Sequence, residues 1–201
     1  MEELCNGTMV ESFAPPIQTG IHMTVVDGQF RIAVSIRNPT DESVGLTTMD
    51  SRLFSVELCR QYGDHLWSPG GMAAQAVTSS KLEAGGRATR HYEVPDPEAA
   101  RKKAEETIER HGDFLYPDTE DVEIVVGTPE DIRDIDPDNG VIGEVGIDPE
   151  DVGIVQVKAT VPATYDYSMS VSRQYDLRRD HENLDDELPS ETMEGIQRRV
   201  P

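Results

Sequence analysis

Apolar residues fall on every second position in the stretch around which this chain is organised. Phe30, Ile32, Val34 and Ile36 alternate with Arg31, Ala33, Ser35 and Arg37, which marks a strand with one face in a core and one in water. Ahead of it, Asp27-Gly28 fits the positive backbone angles of a two-residue type I′ hairpin. The pattern predicts antiparallel strands over 22–26 and 29–37, with Phe30, Ile32, Val34 and Ile36 buried and Arg31 and Ser35 wet. Asn38-Pro39-Thr40-Asp41 ends the second strand, since proline lacks the ladder donor and Asn and Asp favour turns. Further strands are expected near 43–48, 52–60, 64–67, 73–78 and 87–94, with Gly85-Gly86 turning the chain before the last. Such strands cannot bury their apolar faces alone, so they imply an antiparallel β-sandwich.

The pattern changes after Pro95. Asp96 suits an N-cap, Pro97 the first helical position and Gly112 the residue past the last turn, which predicts a helix over 97–111. Glu98–Lys102 and Lys102–Glu106 have the spacing of ion pairs along its face. Its apolar stripe (Ala100, Ala104, Ile108) is thin, which puts the helix on the surface. Residues 113–151 are acidic and rich in Pro and Gly, with one short strand candidate at 122–126. Alternation returns in Val155, Val157, Ala159 and Val161 and again in Tyr165, Tyr167, Met169 and Val171, a closing strand pair joined by Pro162-Ala163-Thr164. The expected layout is an N-terminal arm (1–20), a sandwich (21–173) with an acidic, helix-containing insertion at about 96–151, and a tail (174–201). The tail is dense in charge, with scattered Leu184, Leu188, Met193 and Ile196, and is expected to be disordered.

Charge narrows the function classes. The chain carries 39 Asp and Glu against 18 Lys and Arg, a formal net charge of −21. The acids are spread along the whole length, and the lysines are only Lys81, Lys102, Lys103 and Lys158. This reads as the solvated carboxylate surface of a halophilic cytoplasm, where molar salt shortens the screening length to about 3 Å. An acidic protein that meets a basic partner would show the same charge. Binding to nucleic acid or an anionic membrane is argued against. Cys5 and Cys59 are too few for a disulfide framework or a zinc site. No apolar run approaches the ~18 residues of a membrane span, and the first residues lack the basic and apolar parts of a signal peptide, so a cytoplasmic location is expected.

No catalytic pattern emerges. None of the five histidines (His22, His65, His91, His111, His181) has ligand spacing to another or accompanies a nucleophile motif. Ser68 sits in Trp-Ser-Pro-Gly, which is not a nucleophile elbow, and His65, three residues away, points to the other face of a strand. Asp134, Asp136 and Asp138 alternate as in a calcium loop. The sixth and twelfth positions of that loop hold Asn139 and Val145 where Gly and Glu are needed, so it reads as an acidic loop. The expectation is no enzyme, no cofactor and no metal, and a protein as partner.

One ordered set of residues goes further. Val34, Ile36 and Asn38, then Val44 and Leu46, Phe54 and Val56, Gly63, Trp67-Ser68, Gln75-Ala76, Leu82 and Gly85 together resemble the BsuPI-type intracellular proteinase inhibitor family of small cytosolic β-sandwich proteins. Gly153–Val161 and Tyr165–Tyr175 look similar to its closing strands. Ala73 stands where the family has Phe, Met49-Asp50-Ser51 replaces a glycine turn, and 96–151 is an added segment. The resemblance implies an immunoglobulin-like sandwich that inhibits or regulates an intracellular, subtilisin-like serine protease. It also implies that Asn38, Leu46, Phe54, Gly63, Trp67, Gln75 and Gly85 hold the fold, Asn38 through turn backbone groups and Trp67 through the core.

A protease cleft takes its ligand extended, from a loop stiff enough to limit ordering costs. The stretch Gln61–Met72 meets that need, with His65, Leu66, Trp67, Ser68, Pro69 and Met72 as contacts and Leu66 and Met72 as pocket-filling side chains. The competing expectation is a plain hairpin whose Leu and Trp face the core, in a non-inhibitory interaction or scaffold module.

Overall fold

The computed structural model describes residues 16–48, 53–70, 78–115, 122–135, 140–164, 167–178 and 184–199. Strands β1 (Gln18–Val26) and β2 (Gln29–Arg37) pair antiparallel around Asp27 and Gly28, whose φ angles of 53° and 76° are the two positive values a type I′ turn requires. Phe30, Ile32 and Val34 are 0% exposed and Ile36 1%, whereas Arg31 and Ser35 are half-buried. The expected register holds. Strand β1 begins before residue 22 and Ile17 ahead of it is buried, so 16–20 belong to the sandwich rather than to an arm.

The fold is an all-β antiparallel sandwich with one long helix on its surface. One sheet runs β1-β2-β6-β11, and β3 (Val44–Thr48) pairs with β6 (Thr78–Glu93) in line with β2. The other runs β10-β9-β4-β5, from β10 (Tyr167–Asp176) through β9 (Ile154–Thr164) and β4 (Ser55–Arg60) to the short β5 (His65–Trp67). Phe30, Ile32, Val34, Leu46 and Leu82 from the first sheet share one core with Phe54, Val56, Leu58, Val155, Val157 and Tyr175 from the second. Each such side chain contributes about 1.5–3 kcal/mol by leaving water.

Several expectations are corrected. Gly85-Gly86 does not reverse the chain, because β6 runs through it as one strand. Its first half pairs with β3 and its second with β2, and Glu83–Gly86 bulge between the two ladders. Gly85 adopts φ 68° there, and a Cβ on Gly86 would sit 2.9 Å from the Glu83 carbonyl oxygen. Likewise Pro162-Ala163-Thr164 is part of β9, with a register shift opposite Pro162 that accommodates the missing donor.

Helix α1 (Pro97–Leu115) starts as expected, the Asp96 carboxylate accepting from the Ala99 N–H at 2.7 Å. It continues through Gly112, since a glycine inside a helix costs only about 1 kcal/mol. Its ion pairs are Glu106–Arg110 and Lys103–Glu144, not those of Lys102. Residues 122–135 and 140–152 are also more regular than their composition implies. Strands β7 (Glu123–Gly127) and β8 (Val141–Val145) pair parallel, with the short α2 (Pro129–Ile132) between them and α3 (Pro149–Val152) following. The Ile147 N–H donates to the Pro95 carbonyl, and Ile147 is buried in the sandwich core, which fixes this unit to the domain.

The tail is the largest correction. Residues 192–199, expected to be disordered, form β11 (Thr192–Arg199), which pairs antiparallel with β6 and supplies partners to an edge that would otherwise be bare. Asp185, upstream, is tied to β1 and β10 by a set of hydrogen bonds. Order here comes from backbone pairing and charge, which apolar counting does not register. The strand candidate at 73–78, apart from its last residue, lies outside the described residues.

Candidate partner-binding site

The hairpin β4–β5 closes one edge of the second sheet. Its turn is fixed by the Gly63 N–H donating to the Arg60 carbonyl at 2.9 Å and the Arg60 N–H to the Asp64 carbonyl at 2.8 Å. Gly63 has φ 99°, an angle open to few other residues. Tyr62, at the tip, is 91% exposed.

Register decides which of the expected contact residues face outward. Leu58 pairs with Trp67 and Cys59 with His65, so Leu66 is the extra residue of a bulge and drops into the core at 2% exposure. Trp67 is half-buried against the same core, His65 and Ser68 are exposed, and Pro69 is half-buried. Leu66 is therefore withdrawn as a pocket-filling contact, and Met72 lies outside the described residues. Tyr62 takes its place as the exposed aromatic; sequence reasoning named the loop but missed this residue.

A cleft of about 610 Å³ opens beside β5, between Arg60, Asp64 and His65 of the hairpin and Thr128, Glu130 and Arg133 around α2. Two guanidinium groups face two carboxylates there, so the lining is polar with no excess of either sign. Its far wall is stiffened by Asp131, whose Oδ2 accepts from both the side-chain and the backbone donor of Thr128 at 2.7 Å. These bonds hold the Asp131 carboxyl below the usual carboxylate range. The insertion thus contributes to the same surface as the hairpin, a contact across some sixty residues of chain that no local pattern announces.

Of the other positions that carry the resemblance, Asn38, Leu46 and Phe54 sit inside the fold. Asn38 is 0% exposed, and its Nδ2 donates to the carbonyls of Glu42 (2.7 Å), Leu82 (3.2 Å) and Glu83 (3.0 Å). Its Oδ1 accepts from the Thr40 N–H at 3.0 Å, so one side chain ties the β2–β3 turn to the β6 bulge. Leu46 and Phe54 are buried in the core, Gly85 belongs to the bulge, and Gln75 lies outside the described residues.

His65 and Ser68 share no hydrogen bond among the described residues, and burial pushes the Cys59 thiol up, away from the thiolate form. Asp134 is exposed; Asp136 and Asp138 lie outside the described residues, and no three His, Cys, Asp or Glu side chains are grouped to hold a metal ion among those described. No described helix is long and apolar enough to cross a membrane. No protein-family model matches the chain, and no curated protein matches it.

Proposed function

We propose that this chain is a non-catalytic protein-binding domain that inhibits or regulates an intracellular, subtilisin-like serine protease in a salt-rich cytoplasm. The observation that carries the reading is the β4–β5 hairpin: an edge of the sandwich with a braced turn and an aromatic side chain held out in water. Exposed tyrosines on stiff supports are frequent anchors of protein interfaces, because they bring large contact area at low entropic cost. The neighbouring polar cleft adds charges of both signs, which favour register over raw affinity.

Burial of Leu66 favours a second reading, a non-inhibitory interaction module, since the side chain expected to enter a protease pocket is part of the core. One experiment separates the two. Tyr62, His65 and Ser68 are replaced together by Ala, retention of the fold is checked by circular dichroism, and both proteins are titrated against a subtilisin-like protease in molar KCl. The inhibitor reading expects stoichiometric inhibition by the wild type and at least a tenfold weaker effect of the triple variant. A wild-type domain that leaves the protease fully active sinks it and leaves the interaction-module reading.

A further inference from the structure

Residues 184–199 form a strap around the first sheet. His22, Ala33 and His91 are neighbours across β1, β2 and β6 and face away from the core. The strap is fastened at both ends of this row. Asp185 lies 3.7 Å from His22 Nδ1, and His91 Nε2 donates to the Pro189 carbonyl at 2.7 Å. Ala33 and Thr89, although outward-facing, are 0% and 4% exposed, as residues beneath a crossing segment must be.

The fastening is concentrated in Asp185. Its carboxylate accepts from the Met23 N–H (3.0 Å), from Arg173 Nη1 on both oxygens (2.9 and 3.1 Å) and from the Tyr175 hydroxyl (3.2 Å). Its own N–H donates to the Met23 carbonyl at 2.9 Å. Burial, helped by Asp185 itself, keeps the Tyr175 phenol protonated and thus a donor. By contrast β11 is weakly anchored by its side chains. None from Thr192 to Gln197 is buried, and its ion pair, Arg87–Glu194 at 2.8 Å, is exposed on both sides, where such pairs contribute little.

The seat on β6 is nevertheless selective. Gly195, at φ 72°, lies against the Glu83–Gly86 bulge, and a Cβ on it would come within 3.0 Å of the Gly86 Cα. A side chain at that point would be strained and would crowd the bulge, so the seat favours a strand with glycine there, as the 192–199 segment has. Only connectivity distinguishes that segment in one copy from the same segment in another. We propose that residues 184–199 leave the sheet as a unit when the Asp185 fastening opens, and that their seat on β6 then takes the same segment of a second copy, giving a strand-exchanged dimer. Such exchange makes no contact that the monomer lacks and is driven by concentration.

Arg87 and Glu194 are register partners, and Cα atoms of antiparallel partners lie within disulfide reach. In a Cys5→Ser background, a chain carrying Arg87→Cys is mixed at high concentration with one carrying Glu194→Cys, under oxidised glutathione. The expected result is a covalent dimer in the mixture, absent from either chain alone and formed at least tenfold faster when both chains also carry Asp185→Ala. A mixture that stays monomeric with and without that change overturns the proposal. Where Asp185→Ala does not fold, Asp185→Asn replaces it, and hydrogen exchange of the wild type gives a second readout. The amides of β11 and the alternate β6 amides that face it should exchange together, before those facing β2. If β11 exchanges only with global unfolding, the strap does not leave as a unit and the idea fails.

Discussion

Strands β2 and β11 flank β6 on opposite sides and pair with it through the same antiparallel backbone ladder, but their side chains do different things. Strand β2 puts Phe30, Ile32, Val34 and Ile36 into the core with at most 1% exposure, while the described side chains of β11 include none that is buried. A backbone hydrogen bond contributes only about 0.5–1.5 kcal/mol net, because the unfolded chain bonds to water instead. The ladder therefore sets geometry on both sides of β6, and apolar burial decides which neighbour is integral to the fold. What β11 lacks in burial is supplied at a distance by the polar fastening of Asp185, beside the partly buried Leu184.

The sharpest break of this comparison is a matched pair of truncations. Phe30→Ala should lower global stability by about 3–5 kcal/mol, the range for deleting a buried aromatic side chain. Ile196→Ala, at a half-buried position of β11, should cost about 1 kcal/mol or less. Urea denaturation measures both. Equal losses would mean that β11 belongs to the cooperative core and that its exposure misleads.

The same contrast explains what could be read from the amino-acid sequence. Strand β2 was legible because its two faces meet different solvents, which imposes period two on Phe30–Ile36. Strand β11 was not, because Gly195 faces the β6 bulge and separates Met193 from Ile196 by three positions, so alternation is lost even though pairing is kept. Strand β8, half-buried along its whole length, has no face to alternate. At the candidate site the break between the strands expected near 52–60 and 64–67 was legible, and Gly63 entered only through the resemblance. The burial of Leu66 depends on a one-residue register shift, and the cleft with α2 on a contact remote in the chain; neither leaves a local trace.

An intermediate effect is expected where β2 hands over to β3 along β6. Asn38 is fully buried yet polar, and its side chain meets three carbonyls and one N–H of the turn and bulge, the Glu42 carbonyl also accepting from the Thr40 hydroxyl. Asn38→Ala should cost about 1–3 kcal/mol, the penalty for leaving buried backbone groups without partners. Asn38→Asp should be at least as damaging near neutral pH, because a carboxylate has no hydrogen to give the carbonyls of Glu42, Leu82 and Glu83. An Asp variant as stable as the wild type would show that those carbonyls find other donors, and would make Asn38 a spacer rather than a knot.

The smallest effect belongs to the wall of the cleft, where a polar fastening acts without any burial. The Asp131 carboxyl is held below its ordinary value of 3.8, first by the Thr128 hydroxyl and then by the Thr128 N–H. A depressed value means that folding favours the charged form. The contribution is thus complete above 3.8 and fades as pH falls through the lower, folded value. Carbon-13 NMR of the carboxyl should show an Asp131 midpoint below 3.8 in the wild type. In Thr128→Val, which keeps the backbone donor and removes the hydroxyl, the midpoint should move up but stop short of the free value. Full return would mean that the backbone bond also needs the hydroxyl. No movement would remove the Thr128 hydroxyl from the brace, leaving the Thr128 N–H alone to hold the carboxylate.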